Sequence, residues 1–394
     1  MQSLKEKRKY KLTEKKESRI LNLLFGMQNP LMILPGLVLA ISITFVGFQS
    51  TRWIASLLNL EKSPISAIMM AIILGVLAKN TIGVPQGFQS GVSFGLKKLL
   101  RLGIILMGIR LSIFEVLKIG ALSTGIVIAC IASGIFLTLF VTKKLGLPDR
   151  LGTLIGVGTG ICGASAIVAT GPAIEAKEEE VAYAVGTITI FGIVAMFLYP
   201  YLSHLVLSLS HVESGIFMGT SIHETAQVAG AGIMYDQLWI GPGTAINPTG
   251  ADVAIVTKLV RNAFMAVVIP LMAFIYIRRN KGASQKKISV LSLFPAFILG
   301  FIVLAILRSI GDYVIVNKNL LWDAEGWSAL CSFIKQWAGY FLAVAMAGVG
   351  LGTDIKKLKQ LGAKPFWVGL CAALSVGIIS FVLIKIFAPF LAAL

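Results

Sequence analysis

Long apolar runs constrain this sequence more than any other feature. Two of them cover residues 119–142 and 366–387, and the second contains a single charged residue, Lys385. A run of about 18 or more apolar residues matches the hydrocarbon thickness of a bilayer. A chain in lipid must satisfy its backbone polar groups internally, which favours helices, and the runs are too long for the strands of a membrane barrel. We therefore predict an all-α integral membrane protein.

The hydropathy pattern divides the chain into a tail and one transmembrane domain. Residues 1–29 form a basic tail that we expect on the cytoplasmic side, and residues 30–394 form a single polytopic domain. About eleven transmembrane helices are predicted in it, so that the C-terminus lies outside. The predicted segments are 31–49, 64–79, 94–113, 117–142, 151–173, 181–203, 213–233, 249–277, 291–309, 328–352 and 365–389.

The formal net charge of +17 reflects membrane topology rather than a nucleic-acid partner. Most Lys and Arg residues fall in the tail or in four segments that the count places on one side: 79–101, 143–150, 278–287 and 356–364. This asymmetry follows the positive-inside rule and predicts a multi-pass protein of the inner (plasma) membrane, surrounded by lipid. The acidic stretch 175–180 is then expected to face outside.

One of two internal similarities favours an inverted repeat. Residues 107–113 resemble 347–353, and the count places these two segments in opposite senses across the membrane, as in many secondary transporters. Residues 156–165 resemble 219–226, but the same count gives those segments the same sense. One of them is either a re-entrant hairpin or a half-helix, and the sequence does not decide between the two.

The fifth segment is rich in glycine and small polar residues. Tight helix packing through small residues is one explanation. The other is a broken, substrate-facing helix, because unwinding exposes backbone N–H groups and a helix N-terminus that attract anions. In that case Gly160, Cys162, Gly163 and Ser165 are candidate binding residues.

The seventh segment places several polar side chains in an apolar run. Burying His223, Glu224, Thr225 and Gln227 together is costly unless they are paired or functional. We predict that Glu224 couples transport to H⁺ or Na⁺ with His223 nearby, the alternative being a structural polar cluster. The zinc motif HExxH requires a second His where Gln227 stands, so no metal site is expected.

The eighth segment opens with a helix-start signature at Asn247 and carries two cations near its middle. Lys258 and Arg261 are three residues apart, hence on one helical face, and too deep to reach the bilayer surface. They either pair with Glu224 or Asp252, or they contact an anionic substrate.

The motifs just described resemble a known family. The strings ICGASA at 161–166, HETAQV at 223–228 and RLGIILMGIRL at 101–111 are similar to those of the YeiH-type bacterial membrane proteins, which carry the label of sulfate exporters. The resemblance extends from about residue 30 through nearly the whole chain. It implies an inner-membrane secondary transporter with broken helices, loosely similar to inverted-repeat carriers coupled to protons or sodium.

These observations predict a secondary carrier of a small anion such as sulfate, sulfite or an organic sulfonate, working by ion-coupled alternating access. A carrier of carboxylates or amino acids would use the same basic groups, and an anion channel or an intramembrane enzyme are alternatives of another class. No nucleotide-binding loop of the form GxxxxGK[ST] and no cysteine cluster is present in the sequence. We expect no cofactor and no enzymatic activity, and a homo-oligomer is compatible with the sequence.

Overall fold

The computed structural model describes residues 30–60, 63, 65–240, 246–279, 295–316, 323–356 and 363–391. The predicted cytoplasmic tail, residues 1–29, lies outside the described residues. All regular structure in the described ranges is helical, which confirms the all-α prediction.

The described residues form α-helices that we number in chain order. They are α1 (Leu34–Leu57), α2 (Ala67–Thr81), α3 (Gln86–Phe94), α4 (Leu100–Met107), α5 (Ile113–Lys144), α6 (Asp149–Gly160), α7 (Ala164–Thr170), α8 (Glu178–Tyr201), α9 (His211–Ser221), α10 (Thr225–Tyr235), α11 (Gly250–Ala263), α12 (Met265–Arg279), α13 (Ala296–Val316), α14 (Ala324–Gly352) and α15 (Ala363–Leu391). A π-helical turn links α3 to α4, and another extends α8 to Val206.

Six described helices are long and apolar enough to cross a membrane: α1, α5, α8, α13, α14 and α15. The pair α11 and α12 adds a seventh if its two halves, bent by 41°, form one span. The membrane-protein prediction is thereby confirmed, whereas the count of about eleven spans is not. Each predicted segment nevertheless coincides with a helix or with a linked pair of helices.

The helices pack as two bundles. The first, which we call the frame bundle, contains α1 to α4, α13 and α14, and the second, the hairpin bundle, contains α5 to α12 and α15. Glycine allows close helix approach in both. In the frame bundle Gly75 of α2 lies against the Ala347 carbonyl of α14, and in the hairpin bundle Gly134 of α5 lies against Val376 of α15.

The fifth predicted segment folds back on itself. Gly158 near the end of α6 lies against Ile167 of α7, and Ile174 beyond α7 returns to the apolar cluster that contains Leu151 at the start of α6. Residues 151–173 therefore enter and leave at the same end of the bundle. We call this re-entrant element hairpin 1.

The seventh predicted segment is a second re-entrant element, hairpin 2. Gly215 near the start of α9 and Tyr235 at the end of α10 both pack against Gly250, the first residue of α11. At the other end of the element, Thr225 is hydrogen bonded to Asn262 in the last turn of α11. Because the long helix α8 separates the two hairpins, they enter the bundle from opposite ends.

The fold-back of hairpin 1 corrects one topological expectation. Ala176 and Val181 pack in the same cluster as Leu145, so residues 175–180 lie at the end of the bundle that carries Lys143. The prediction that the acidic stretch faces the opposite side from the basic loop 143–150 is therefore wrong. Hydropathy misplaced it because an apolar hairpin and an apolar span of the same length have the same composition.

Candidate functional site

The tips of the two hairpins meet beside α11 and carry similar short sequences, identical at three of four positions. Residues 158–161 read Gly-Thr-Gly-Ile and residues 219–222 read Gly-Thr-Ser-Ile, with an offset of 61 positions between them. In each hairpin the first helix ends within this string, at Gly160 in α6 and at Ser221 in α9. The last carbonyl groups of both helices lack intrahelical donors and need partners from elsewhere.

Lys258 supplies one donor to both tips. Its side chain is fully buried on α11, and its Nζ atom donates to the carbonyl oxygens of Ile161 and Ile222, each at 2.8 Å. These two carbonyls occupy equivalent positions in the repeated string. The ammonium group therefore contacts the two hairpins at equivalent positions.

Arg261, one helical turn further along α11, repeats this arrangement. Its Nε donates to the Gly160 carbonyl at 2.8 Å, and its guanidinium also donates to the carbonyls of Thr159 and Thr220, which are again equivalent positions. A fourth contact of the guanidinium is with the Ile222 carbonyl at 3.4 Å. Cations at helix C-termini are stabilised by the partial negative charge of the unsatisfied carbonyl groups.

The predicted ion-pair partners of Lys258 and Arg261 are engaged elsewhere in the described structure. Asp252 pairs with Arg110 of the frame bundle at 2.7 Å between Oδ1 and Nε. The Glu224 carboxylate accepts a hydrogen bond from the Thr189 hydroxyl. Of the two alternatives, the pairing with Glu224 or Asp252 is not seen among the described residues, and backbone carbonyls take its place.

Glu224 lies at the N-terminus of α10. Its backbone N–H donates to Oε1 of Gln227 at 3.1 Å, and its carboxylate accepts from Oγ1 of Thr189 at 3.3 Å. The side chain also contacts Gly163, which has a φ of +71°. A Cβ atom at Gly163 would overlap with the Glu224 side chain, so both conformation and space require glycine there.

Other predicted residues lie at the tips with different degrees of contact. His223 is buried, and neither ring nitrogen has a hydrogen-bond partner within the described residues. Thr225 accepts a hydrogen bond from Asn262 at 3.0 Å. The buried Cys162 Sγ lies 3.2 Å from Sδ of Met265.

Two predicted residues are not brought into this buried cluster. Ser165 is exposed in the first turn of α7. Asn247 is exposed before the start of α11 and donates from Nδ2 to Oε1 of Glu115 at 2.8 Å. Since Asn247 precedes α11 and Lys258 lies well inside that helix, a direct role of Asn247 at the tips is not supported by the geometry.

Sequence reasoning missed several polar groups of the site. Thr189 on α8 contacts Glu224, and no sequence pattern singled it out. Four further polar atoms are buried without a hydrogen-bond partner among the described residues: Thr159 Oγ1, Ser221 Oγ, Thr257 Oγ1 and Asn262 Oδ1. All four lie in a tip string or next to a buried cation in sequence, so the repeat and the cations were the signals that could have found them.

The site offers charge and hydrogen bonds rather than metal ligands. In the described part of the chain, no group of three or more His, Cys, Asp and Glu side chains could hold a metal ion. Two cations, Lys258 and Arg261, and one carboxylate, Glu224, lie at the tips. The helix dipoles add little net charge, because each break places a C-terminal end beside an N-terminal end.

Asp236 lies at the open end of hairpin 2, beyond α10 and outside the long spans. Its Oδ1 accepts from the Ala251 backbone N–H at 3.1 Å. Burial, followed by the nearby negative charge of Asp252, raises the pKa of Asp236 to about 7. This carboxyl group therefore titrates near neutral pH, far from the hairpin tips.

Comparison with known proteins gives the family. The family model described as Conserved hypothetical protein 698 matches residues 35–369. The chain belongs to this family. Its relatives carry the family name UPF0324: the YeiH inner membrane protein of Escherichia coli is 34% identical over 343 residues, covering 86% of this chain and 89% of the relative.

Two other UPF0324 relatives match over a similar length. A membrane protein of Fusobacterium nucleatum is 31% identical, with 83% of this chain and 91% of the relative covered. One from Bacillus cereus is 32% identical, covering 87% of this chain and 93% of the relative. The resemblance to YeiH-type proteins is confirmed, and the names of these UPF0324 relatives agree with a membrane location.

Proposed function

We propose that this protein is a secondary transporter of a small anion in the bacterial inner membrane, and that it is not an enzyme. The observation that carries the proposal is the meeting of two hairpins, inserted from opposite ends, on the buried pair Lys258 and Arg261. Interrupted helices that meet near the middle of the bilayer are where secondary transporters bind substrates and coupling ions. Access can then alternate between the two ends while the site stays in place.

The charge of the site favours an anion as the substrate. Lys258 and Arg261 are fully buried at the tips, where Glu224 contributes one carboxylate. Leaving a charge buried without compensation costs several kcal/mol. A bound anion offsets the excess positive charge. The His223 and Ser221 side chains, which have no hydrogen-bond partner in the described part of the chain, can hydrogen bond to it.

A topology of nine spans and two hairpins fits this function better than eleven spans. In the proposed arrangement, seven single helices cross the membrane: α1, α2, α5, α8, α13, α14 and α15. Two further spans are formed by the linked pairs α3–α4 and α11–α12. Nine is also an odd number, so the N-terminus is cytoplasmic and the C-terminus outside, as the basic loops indicate. Hairpin 1 then enters from the cytoplasm and hairpin 2 from outside.

The substrate class is a small oxyanion, with sulfate, sulfite and organic sulfonates as the first candidates. The tips offer hydroxyl groups, the His223 imidazole and an excess of positive charge. These groups are suited to bind oxyanions, whose negative charge is delocalised over several oxygen atoms. Glu224 carries the coupling ion, because it is the carboxylate at the tips. A carboxylate substrate is the second candidate and is distinguished by competition.

The test is radiolabelled sulfate flux into proteoliposomes with an imposed pH gradient. We expect saturable, gradient-driven flux from the wild type, its loss in Glu224→Gln, and its retention in Glu325→Gln, a matched change at an exposed carboxylate. Gradient-driven flux that Glu224→Gln retains would remove Glu224 from coupling. Flux without saturation or counterflow would indicate a channel, and an absence of flux for sulfate and for every competing oxyanion would reject the anion carrier.

A further inference from the structure

We infer that the Lys258 ammonium is a built-in substitute for a coupling cation, held between the hairpins where a transported Na⁺ would bind, so that this carrier operates without sodium. The inference rests on the proposed transport function and names its coupling ion as the proton. The observation behind it is the placement of one side-chain cation between equivalent carbonyl oxygens of the two tips.

The ligands around Lys258 are of the kind that bind sodium in carriers. Helix C-terminal ends and unwound backbone carbonyls at interrupted helices coordinate Na⁺ in secondary transporters. Here the carbonyls of Ile161 and Ile222 both lie 2.8 Å from Nζ of Lys258. The two oxygens that would have to join a sodium ion to both hairpins are therefore already bound to a cation.

Three further carbonyls at the tips are occupied as well. Arg261 takes those of Thr159, Gly160 and Thr220, so both cations of α11 bind helix C-terminal groups of both hairpins. A free cation would have to displace a covalently attached one. The local concentration of a tethered cation is very high, and this excludes sodium at ordinary ionic strengths.

A lysine in this position also changes which ion can be coupled to transport. Its ammonium group has three N–H donors, and two of them are used by Ile161 and Ile222. Within the described residues no acceptor is found for the third, which leaves it for a bound anion. The charge of a tethered ammonium can change only by proton transfer, whereas a sodium ion would have to enter and leave.

The decisive variant is Lys258→Ala in the full chain, which removes the tethered cation and leaves its carbonyl ligands. We would measure thermal unfolding in detergent with sodium chloride, methylammonium chloride or choline chloride at equal ionic strength. The midpoint of the wild type should not distinguish these salts. The midpoint of Lys258→Ala in choline chloride should be lower than that of the wild type. It should be higher by about 3 °C or more in sodium chloride or methylammonium chloride than in choline chloride, because choline is too large for the vacated place.

Lys385→Ala is the matched control, because Lys385 is an exposed lysine within α15. It should respond to the three salts as the wild type does. A Lys258→Ala midpoint that is equal in all three salts would overturn the inference, and so would a wild-type midpoint that rises with sodium. If Lys258→Ala does not fold, Lys258→Gln with its shorter neutral side chain takes its place, and the same outcomes decide.

Wild-type flux provides an independent readout. Replacement of sodium by choline should leave the initial rate of pH-driven flux unchanged, and a rate that falls tenfold or more without sodium would overturn the inference. The unfolding experiment needs no substrate, so the two proposals fail separately. A sodium response confined to Lys258→Ala, in a protein that transports no anion, would support the occupied cation position and reject the carrier function alone.

Discussion

Replacing Arg261 by methionine should separate the two hairpin tips. Methionine retains much of the apolar stem but removes the guanidinium that donates to the carbonyls of Thr159, Gly160 and Thr220. These carbonyls would be left in a fully buried place without their charged donor. Since Lys258 binds other carbonyls of the tips, it does not replace what is lost.

The size of the effect follows from these contacts. A hydrogen bond to a charged group contributes about 1.5–3 kcal/mol, and removing one partner of a buried charged contact costs about 3–5 kcal/mol overall. Because water can reach the freed carbonyls once the tips open, we take the lower limit of about 3 kcal/mol. This value corresponds to an increase of about 100-fold in the equilibrium constant for opening.

Cys162 provides the assay, because it lies in the break of hairpin 1 and is only 7% exposed. In a background with Cys130, Cys331 and Cys371 replaced by alanine, we expect maleimide to label Cys162 about 100-fold faster in Arg261→Met than in the parent.

A matched control is Arg308→Met, which removes an arginine of the frame bundle that pairs with Asp312 at 2.6 Å. It should leave the labelling of Cys162 unchanged. A labelling rate in Arg261→Met within about threefold of the parent would refute the claim that Arg261 holds the tips together.

Two further predictions concern other parts of the hairpins. Gly163→Ala should lower the unfolding midpoint by several degrees, because residue 163 has a positive φ and an added Cβ would overlap with Glu224. Gly87→Ala is the control, since Gly87 has open space around it and its midpoint should not change. Equal midpoints for the two variants would contradict the prediction. The pKa of Asp236 is raised in the folded state to about 7, so the free energy of unfolding should decrease as the pH rises from about 4 to 7. Asp236→Asn should flatten this dependence in urea titrations. A parallel decrease in the variant would contradict the prediction.

The membrane class and the helical segments were predictable because they depend on the length and composition of apolar runs. The hairpins were not, since residues 151–173 are long enough for a span and equally suited to two short helices. The difference lies in the break at 161–163, where Gly163 adopts a positive φ. Dense glycine in the sequence indicated a break but gave no information on whether the chain continues or returns.

The burial of Lys258 and Arg261 followed from their depth in the predicted segment, and the structure places both in the core. Their partners could not be predicted from residue types. Every residue has a backbone carbonyl, so Ile161 or Thr220 gives no signal as an acceptor in a sequence. The repeated string at the two tips and the dense glycine of the fifth segment pointed to these positions, but neither feature gives the relative direction of the hairpins.

The cations that satisfy hairpin 1 come late in the chain, and this has a consequence for biogenesis. Thr159 precedes Arg261 by 102 positions, so the carbonyl groups at the first tip are synthesised well before their donors. At about 5–20 residues per second the interval is roughly 5–20 s. During that time hairpin 1 has an incomplete set of hydrogen bonds, and its stable insertion has to wait until α11 joins the bundle. Synthesis that stops before α11 should therefore leave a chain whose first hairpin is open to proteases.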